Sequence, residues 1–316
     1  MNGRSKSEAG DQYSPAACPV CGQDKSRLYL RLETTRTIKS AWGVPFRSRV
    51  IMKCPACQVQ FAEPGEEEAG YGALYGDEYH SLMAGTETEL TKSGIVEQTR
   101  TRIRLLQRFV AGGTLLDIGC STGIFMNAAR EVGFEAYGLD SSAGACRIAR
   151  DRWHFEPNRI ENTVVIDSHV IRDRKYDVIT LWDVIEHLER PGWVMGLVRS
   201  CLRKGGIVII RTPNTNSPFF KTALAVHRLS RGRVRFPLFS LYHTDHRLFF
   251  NHESLSRLFS GSGLEVRRFF PDPLVWKRFR YAECRHGLPL NAAIALIYFL
   301  GRLFGSSHGL IVVAGR

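Results

Sequence analysis

Long hydrophobic runs are absent from this sequence, which argues against a membrane-spanning protein. Residues 1–13 are polar, unlike a secretory signal, and no apolar run reaches the roughly eighteen residues needed to cross a bilayer. The apolar segment 288–304 is interrupted by Asn291, Gly301 and Arg302, so we expect it to pack on the protein or lie on a membrane surface. A cytoplasmic location is therefore expected.

Acidic residues are outnumbered by basic ones, with 31 Asp and Glu against 43 Lys and Arg, for a formal net charge of +12. This excess predicts an anionic partner, which could be nucleic acid, an anionic membrane surface or a phosphorylated carrier. The hydrophobic fraction of 44% is ordinary for a globular protein, and 316 residues suffice for one large α/β domain with a small accessory module.

Half of the eight cysteines fall in two C-P-x-C pairs, Cys18 with Cys21 and Cys54 with Cys57. In a reducing compartment, two thiolates on a tight turn indicate a metal site rather than a disulfide, and four sulfur ligands complete a tetrahedral zinc site. We predict a structural zinc at these four cysteines, with unmetallated cysteines as the alternative. A redox role is disfavoured because no thioredoxin-like βαβ pattern surrounds either pair.

Composition and spacing divide the chain into four parts. Two strand-like runs, 27–35 and 46–53, lie between the cysteine pairs and predict a hairpin that joins two metal knuckles. The predicted parts are a flexible tail 1–16, a zinc-ribbon-like module 17–62, a linker 63–90 and a main domain 91–316.

Strands and helices alternate in the main domain, which predicts an α/β fold with a parallel sheet covered on both faces. The predicted strands are 114–118, 135–139, 163–166, 176–182 and 206–211, with 309–314 completing the sheet; the predicted helices are 91–110, 123–132, 142–152 and 192–203. Ligands of such sheets bind beyond the carboxyl ends of the strands. The acidic residues that fall at these ends are Asp117, Asp140, Asp167 and Asp183.

A glycine-rich turn, Gly119 to Gly123, follows the first of these strands and precedes a helix. Glycine lets the backbone approach a ligand closely, and the free N–H groups at the helix start favour an anionic group. The G-x-x-x-G spacing differs from the G-x-G-x-x-G of dinucleotide sites, and Asp140 after the next strand is placed to accept ribose hydroxyls. The turn therefore predicts a nucleoside ligand that carries a small carboxylate.

Four ordered segments resemble the motifs of class I S-adenosylmethionine-dependent methyltransferases. They are 116–123, 137–140, 176–188 and 202–206. The resemblance covers roughly residues 90–316, and it departs at Ser121, where many members have glycine. It implies S-adenosylmethionine as the cofactor. It also implies a Rossmann-like, seven-stranded, mostly parallel sheet with helices on both faces and an antiparallel last strand.

The resemblance also implies the cofactor contacts. The glycine turn would hold the methionine portion, Asp140 the ribose, and Asp167 with Ser168 the adenine amino group, although Asp167 could equally be a surface turn residue. Trp182 is either a cofactor contact or a core residue. The predicted set is Asp117, Gly119, Cys120, Ser121, Gly123, Asp140, Ser141, Asp167, Ser168 and Trp182.

His187 is the predicted general base, oriented by Glu186 or Asp183, because histidine accepts a proton near neutral pH. A hydrogen-bonded helix cap is the alternative role. The pattern Asp183-x-x-Glu186-His187 also resembles one with which ubiquinone-type O-methyltransferases and small-RNA 3′-end methyltransferases hold a divalent cation. The candidate cation ligands are Asp183, Glu186, His187 and His243, with His246 close by in sequence.

An insertion at about 217–241 mixes arginines with aromatic residues and is predicted to form the wall of the acceptor site. We predict methyl transfer to a small-molecule or carrier-linked acceptor, such as a glycan, a lipid-linked compound or a secondary metabolite, with oxygen favoured. The acceptor is expected to be anionic, and peripheral membrane contact is a second expectation. Two alternatives stay open: an RNA methyltransferase, disfavoured because the chain lacks an RNA-binding module of known type, and a non-catalytic adaptor that binds the cofactor.

Overall fold

The structure is a computed structural model that describes residues 17–33, 38–39, 45–46, 48–63, 89–272 and 307–316. Three predictions, the tail 1–16, nearly all of the linker 63–90 and the apolar segment 288–304, lie outside the described residues. The two cysteine pairs, the glycine turn and the histidine-rich segment after residue 241 lie within them.

The N-terminal module consists of a four-stranded antiparallel sheet, one strand of which belongs to the main domain, and a separate antiparallel pair of short strands at residues 38–39 and 45–46. Its own strands are β1 (Arg27–Leu32), β2 (Ile38–Lys39), β3 (Pro45–Phe46), β4 (Arg49–Lys53) and β5 (Gln60–Ala62). Antiparallel pairing of β1 with β4 confirms the predicted hairpin, with shorter strands, and β5 pairs with β4. On its other side β5 pairs with β11 (Leu248–Phe249), so the module and the main domain share a sheet.

The main domain alternates helices and strands. Its helices are α1 (Glu89–Gln107), α2 (Ile124–Glu131), α3 (Ala143–Trp153), α4 (His169–Asp173), α5 (Pro191–Cys201), α6 (Pro218–Leu229), α7 (Phe236–Leu241) and α8 (His252–Gly261). Its further strands are β6 (Gly113–Ile118), β7 (Phe134–Asp140), β8 (Ile160–Asn162), β9 (Tyr176–Trp182), β10 (Leu202–Pro213), β12 (Glu265–Pro271) and β13 (Gly309–Gly315). Within the described part of the chain, no helix combines the length and the apolar character needed to cross a bilayer.

Seven strands form one sheet in the order β12-β13-β10-β9-β6-β7-β8. Neighbouring strands from β10 to β8 are parallel, and β13 runs antiparallel to both β10 and β12. This confirms the Rossmann-like, mostly parallel sheet and the antiparallel last strand. The strand order switches between β6 and β9, because β7 and β8 extend the sheet on one side of β6 while β9 and β10 extend it on the other. A ligand crevice is expected at that switch.

Consecutive residues of the central strands point into two different cores. Leu116 and Ile210 pack on one face of the sheet with α5 and α8. Leu115 and Ile209 pack on the opposite face with α1, α2 and α3. Because both faces are buried, the strands are continuous hydrophobic runs, and charged side chains are confined to the strand ends.

The predicted strand 163–166 is wrong. β8 ends at Asn162, and Val165–Asp167 forms a turn of 3-10 helix. The side chain of Glu161 explains the early end, because it accepts hydrogen bonds from Ser168 Oγ at 2.6 Å and from the backbone N–H groups of His169 and Val170. The chain must turn within a few residues to bring these donors to Glu161, so Asp167 does not close a strand.

The predicted insertion, which contains α6 and α7, packs on the N-terminal module. Phe220, Leu238 and Tyr242 share an apolar cluster with Leu32 of β1 and Ile51 of β4. Its exposed positions carry five cations: Lys221, Arg228, Arg231, Arg233 and Arg235. The proposed wall of an acceptor site stays a prediction, but its apolar side belongs to the module.

Gly138 of β7 offers a test of how tightly the sheet packs under the glycine turn. A Cβ at Gly138 would collide with Met126 Sδ and lie 2.8 Å from both Cβ and Sγ of Cys120. Gly138→Ala should therefore lower the free energy of unfolding by about 1–3 kcal/mol through overpacking. The matched control is Gly196→Ala in α5, where a Cβ meets nothing within 4 Å and should stabilise by about 0.5–1 kcal/mol. Urea unfolding followed by circular dichroism measures both, and equal stabilities for the two variants would contradict this prediction.

Candidate active site

The glycine turn links β6 to α2 and lies against the end of β7. Gly119 and Gly123 both have a φ of 75°, and the backbone N–H of Gly119 donates to the carbonyl of Leu139 at 2.8 Å. A side chain at Gly119 would collide with Val184, so this position requires glycine. Ser121 has a φ of 48°, a conformation that glycine adopts more easily than serine.

Asp140, at the end of β7, holds the glycine turn in place. Its carboxylate accepts the N–H of Ser121 at 2.8 Å and the N–H of Ser142 at 2.9 Å. Carboxylate oxygens can each accept more than one hydrogen bond, so Asp140 can still accept a ligand hydroxyl. Cys120 of the turn is buried against Gly138. The structure thus brings the turn, Asp140 and the adjoining Ser141 together at the carboxyl ends of β6 and β7.

Asp117 lies beneath the turn, near the end of β6, and only 2% of its surface is exposed. Its Oδ1 accepts a hydrogen bond from Thr180 Oγ1 at 2.6 Å. Burial raises the pKa of Asp117 to about 7, and the hydrogen bond from Thr180 and the charge of Arg102 oppose that rise. Asp117 therefore connects β6 to β9 from within the sheet, and its contact with a cofactor stays a prediction.

Trp182 ends β9 and forms one wall at the switch in strand order. Its ring meets Phe125 edge-on at 5.1 Å between centroids, and the guanidinium of Arg102 lies 4.5 Å from the ring centroid. The indole N–H is buried and has no hydrogen-bond partner among the described residues. A cation on an indole face typically contributes about 1–2 kcal/mol. Arg102 therefore fixes α1 against the crevice.

Asp183 follows Trp182 and belongs to a network of ion pairs. One oxygen of its carboxylate accepts a hydrogen bond from Arg102 Nη2 at 3.0 Å, and the other oxygen contacts Arg211 Nη1. The Nε of Arg211 in turn lies 2.9 Å from an oxygen of Asp272. Burial opposes the charge of Arg211, but the carboxylates of Asp183 and Asp272 outweigh it and raise the pKa of Arg211 further. The predicted role of Asp183 as an orienting group or cation ligand therefore competes with two guanidinium groups.

Three titratable side chains meet just after β9. Glu186 and His187 lie in the 3-10 turn Ile185–His187, and His246 comes from residues 242–247, which we call the histidine loop. One ligand atom of each lies within 4.8 Å of the others, and His243, Asp245 and His246 form an overlapping group of the same kind. The grouping differs from the predicted cation set: His246 joins Glu186 and His187, while His243 pairs with Asp245.

Glu186 is a buried carboxyl group whose nearest hydrogen-bonding groups are its own backbone and the Thr212 side chain. It is 1% exposed, and neither carboxylate oxygen has a partner with hydrogen-bond geometry among the described residues. Burial, together with the charge of Asp183, raises the pKa of Glu186 to about 8. Because a buried polar group without a partner is costly, Glu186 is the side chain in this cluster that most needs a ligand.

The hydrogen bond of His187 fixes which ring nitrogen carries the proton. Nδ1 lies 2.9 Å from the backbone carbonyl oxygen of Asp245. A carbonyl can only accept, so Nδ1 bears the hydrogen and Nε2 bears the lone pair. The group that orients His187 is thus a main-chain carbonyl, where the sequence suggested Glu186 or Asp183. The neighbouring ring of His246 lies 4.9 Å away, and burial lowers its pKa well below the usual range.

Asp167 and Ser168 serve a different part of the fold. Asp167 is exposed, and Ser168 is fully buried as the cap of α4. Ser168 Oγ donates to Glu161 and accepts the N–H of Ile171 at 3.2 Å. A contact with adenine stays a prediction, but Ser168 would have to give up these hydrogen bonds to make it.

Sequence reasoning assigned no role to three residues of the site. Arg211 lies near the carboxyl end of β10, directly after a hydrophobic run. A charged residue at the end of such a run is the pattern that identified the aspartates, and the same pattern could have identified Arg211. Arg102 lies on a helix for which only the apolar face was considered. Asp245 orients His187 through its backbone carbonyl, and no side-chain pattern marks such a role.

The four cysteines of the C-P-x-C pairs converge in the N-terminal module. Cys18 Sγ lies 3.5 Å from Cys57 Sγ, and Cys21 Sγ lies 3.6 Å from Cys54 Sγ. All four sulfur atoms lie within 4.8 Å of one another. These separations exceed a disulfide bond and are close to the roughly 3.8 Å between sulfur ligands of one tetrahedral zinc. The hydrogen bond between Cys18 and Cys57 lowers the pKa of Cys18 and raises the pKa of Cys57, because the two sulfur atoms share one proton.

Comparisons with solved structures and curated proteins identify methyltransferases. Magnesium protoporphyrin IX methyltransferase from Synechocystis PCC 6803 with bound SAH has a TM-score of 0.47 and 16% identity, covering 73% of this chain and 89% of that chain. A SAM-dependent methyltransferase from Archaeoglobus fulgidus has a TM-score of 0.45 and 17% identity, covering 71% of this chain and 94% of that one.

Two curated relatives carry the name ubiquinone biosynthesis O-methyltransferase. The protein from Paraburkholderia phytofirmans is 30% identical over 115 residues, which is 34% of this chain and 47% of the relative. The protein from Thiobacillus denitrificans is 26% identical over 164 residues, which is 50% of this chain and 66% of the relative. The matches thus span about half to two thirds of the length of these relatives.

A family model described as "Methyltransferase domain" matches residues 96–268, which is more than half of the chain. The match includes α1, the glycine turn, Asp140, the Glu186–His187 turn and the histidine loop. With the sheet order and the geometry of the crevice, it shows that the chain belongs to the methyltransferase-domain family.

Proposed function

We propose that this protein transfers the methyl group of S-adenosylmethionine to a hydroxyl oxygen of a small-molecule or carrier-linked acceptor. The observation that carries the proposal is a group of buried polar atoms without hydrogen-bond partners among the described residues. Five of the seven such side-chain atoms belong to four residues at or just after the ends of β9 and β10 or in the histidine loop: Trp182, Glu186, Thr212 and His246. Native proteins rarely leave such atoms unsatisfied, so this region is suited to a polar ligand.

The residues around the glycine turn fit the cofactor. The backbone of Gly119–Gly123 would face its methionine portion, Asp140 has acceptor capacity for ribose hydroxyls, and the unpaired N–H of Trp182 is available at the wall of the crevice. When bound, S-adenosylmethionine supplies an electrophilic methyl group on a sulfonium. The names of the curated relatives support an oxygen acceptor.

His187 would remove the proton of the acceptor hydroxyl. Its Nε2 carries the lone pair because Nδ1 donates to Asp245, so the ring is ready to act as a general base without a change of tautomer. The hydroxyl proton would go to Nε2 as the oxygen forms its bond to the methyl carbon, while the bond from the methyl carbon to sulfur breaks and the thioether leaves. The pKa of the neighbouring His246 is lowered well below the usual range, so His246 would not add a second positive charge beside the imidazolium that results.

Glu186, His187 and His246 also fit a divalent cation. One carboxylate and two imidazoles are donors that suit zinc, manganese or iron, and a cation would satisfy the unpaired oxygens of Glu186. Such a cation would lower the pKa of an acceptor hydroxyl bound to it. The ionised form of Glu186 would then be the stable one despite its burial.

The insertion supports an anionic acceptor. Between Glu189 and Asp245 the sequence contains no acidic residue, and the five exposed cations of the insertion lie in this interval. Peripheral membrane contact through this surface stays a prediction.

Transfer of labelled methyl to a panel of quinols, glycans and RNA tests the proposed function directly. We expect label in a hydroxylated small-molecule or carrier-linked acceptor and none in RNA. Label in RNA alone would favour the RNA methyltransferase, and cofactor binding without any transfer would favour the adaptor.

Asp140→Asn should weaken the binding of S-adenosylmethionine at least tenfold. The amide cannot accept from both Ser121 and Ser142 as the carboxylate does, so the turn loses a hydrogen bond worth about 1 kcal/mol, and the ribose loses a charged acceptor. Isothermal titration measures the affinity. Asp151→Asn, at an exposed position of α3, is the control and should bind as the wild type does. An unchanged Kd for Asp140→Asn would remove Asp140 from the cofactor site.

His187→Gln should lower methyl transfer by about 10²–10⁴-fold, the usual contribution of a general base, while leaving cofactor affinity unchanged. His169→Gln, at an exposed position of α4, is the matched control.

Glu186→Gln separates the two forms of the mechanism. If the site holds a cation, Glu186→Gln abolishes methyl transfer and mild chelation abolishes it in the wild type. Added cation then restores transfer in the chelated wild type but not in Glu186→Gln. If His187 acts without a cation, chelation has no effect on transfer.

We also propose that Cys18, Cys21, Cys54 and Cys57 hold a structural zinc. Purified protein should contain one zinc per chain at these cysteines, measured by mass spectrometry with a chelator wash that removes weakly held ions. Cys21→Ser changes the one exposed member of the four and should lose most of this zinc and unfold at a lower temperature. Cys201→Ser, at a buried cysteine outside the cluster, should retain the zinc. Full zinc content in Cys21→Ser would contradict the assignment.

A further inference from the structure

We infer that the N-terminal module sets the geometry of the histidine loop and that Arg49 is the residue through which it acts. This inference rests on the proposed function, in which His187 and His246 serve methyl transfer. It assigns to the module a task beyond holding the N-terminal chain on the main domain. Arg49 would be a positioning residue, since it acts through the backbone of the loop.

Arg49 is the first residue of β4, and only 9% of its surface is exposed. Its Nη2 donates to the carbonyl of His246 at 2.6 Å, and its Nη1 donates to the carbonyl of His243, with the carbonyl of Tyr242 at 3.5 Å. A guanidinium is planar, stays charged at any relevant pH and presents its donors in a fixed fork. Arg49 therefore fixes the separation of two carbonyls three residues apart in the loop.

Other contacts between the module and the loop act in the same direction. Tyr242 Oη donates to Gln60 Oε1 at 2.6 Å, and the N–H of Ala62 donates to the carbonyl of Arg247 at 2.9 Å. The next residue, Leu248, begins the strand that pairs with β5. The module thus contacts the histidine loop at its start, its middle and its end.

The opposite side of the histidine loop contacts the 3-10 turn Ile185–His187. The carbonyl of Asp245 accepts Nδ1 of His187, and the N–H of Arg247 donates to the carbonyl of Glu186 at 2.9 Å. Asp245 lies between the two residues whose carbonyls Arg49 holds. A change in the hold of Arg49 on His243 and His246 would therefore move the carbonyl that fixes the tautomer of His187.

The cysteine cluster connects to this chain of contacts through β4. Cys54 directly follows β4, and Cys57 lies three residues before β5, so the second knuckle is the turn between the two strands that contact the loop. The backbone N–H of Cys54 donates to the carbonyl of Val59 at 3.0 Å, which closes this turn. A metal on the four cysteines would hold β4 and β5 in the register on which the position of Arg49 depends.

The test compares Arg49→Gln and Arg49→Lys with Arg31→Gln, at an exposed position of β1 in the same sheet. The first readout is the ¹⁵N signal of the His187 ring nitrogens, assigned by difference from His187→Gln. In the wild type the ¹⁵N signal should report a protonated Nδ1. In Arg49→Gln the signal should shift toward the tautomer that is protonated at Nε2, and in Arg49→Lys this shift should be smaller. Arg31→Gln should give the signal of the wild type. The affinity for S-adenosylmethionine should stay within twofold of the wild type in all three.

Methyl transfer is the second readout and should fall at least tenfold in Arg49→Gln, with partial recovery in Arg49→Lys. Unchanged His187 signals and unchanged transfer in Arg49→Gln would overturn the inference. If the Arg49 variants do not fold, Cys21→Ser decides, because it should alter the same His187 signals without touching the loop, and unchanged signals there would overturn the inference. A wild type that transfers no methyl to any acceptor, but whose His187 signals respond to Arg49→Gln, would remove the proposed function and leave the positioning role intact.

Discussion

Both faces of the seven-stranded sheet are buried, and this constraint decides where the protein can carry out polar chemistry. Side chains along the central strands alternate between two apolar cores, so a charge is tolerated only where a strand ends. Asp117, Asp140 and Asp183 lie at or directly after the ends of three neighbouring strands. The positive φ angles of Gly119 and Asp183 turn the chain sharply at two of these ends. One edge of the sheet thereby collects the groups that can meet a ligand.

Environment, rather than residue type, separates the roles of the groups at this edge. Two guanidinium groups form ion pairs with Asp183, whereas burial raises the pKa values of Asp117 and Glu186 to about 7 and about 8. Burial also keeps His246 neutral. His187 differs from all of these because a backbone carbonyl dictates its tautomer and leaves a lone pair on Nε2. At this edge, the proton-accepting atom of His187 is therefore set by a backbone contact and not by a neighbouring carboxylate.

Features that depend on neighbours in sequence could be predicted, and features that depend on distant parts of the chain could not. The glycine turn, the hairpin and the strand alternation follow from local spacing. β8 was misplaced because Val164, Val165 and Ile166 have a strand-like composition, while the contacts that end the strand come from Glu161 and residues beyond it. The hydrogen bond from Arg49 to the carbonyl of His246 joins positions 197 residues apart, and no local sequence pattern predicts it.

The position of Arg49 is explained by what the histidine loop requires. Under the proposed function the histidine loop offers the side chains of His243, Asp245 and His246 to ligands, so the shape of the loop must be set through its backbone. Backbone carbonyls accept hydrogen bonds without constraining side-chain chemistry, and a guanidinium is the side chain best suited to hold two of them at once. The module can supply that guanidinium from a fixed position because Cys57 and Phe61 share the main core with Leu248 and Leu255. A small sheet with too few residues for a core of its own becomes rigid when it shares the core of a larger domain. A metal on the four cysteines would further stabilise the turn that joins β4 to β5.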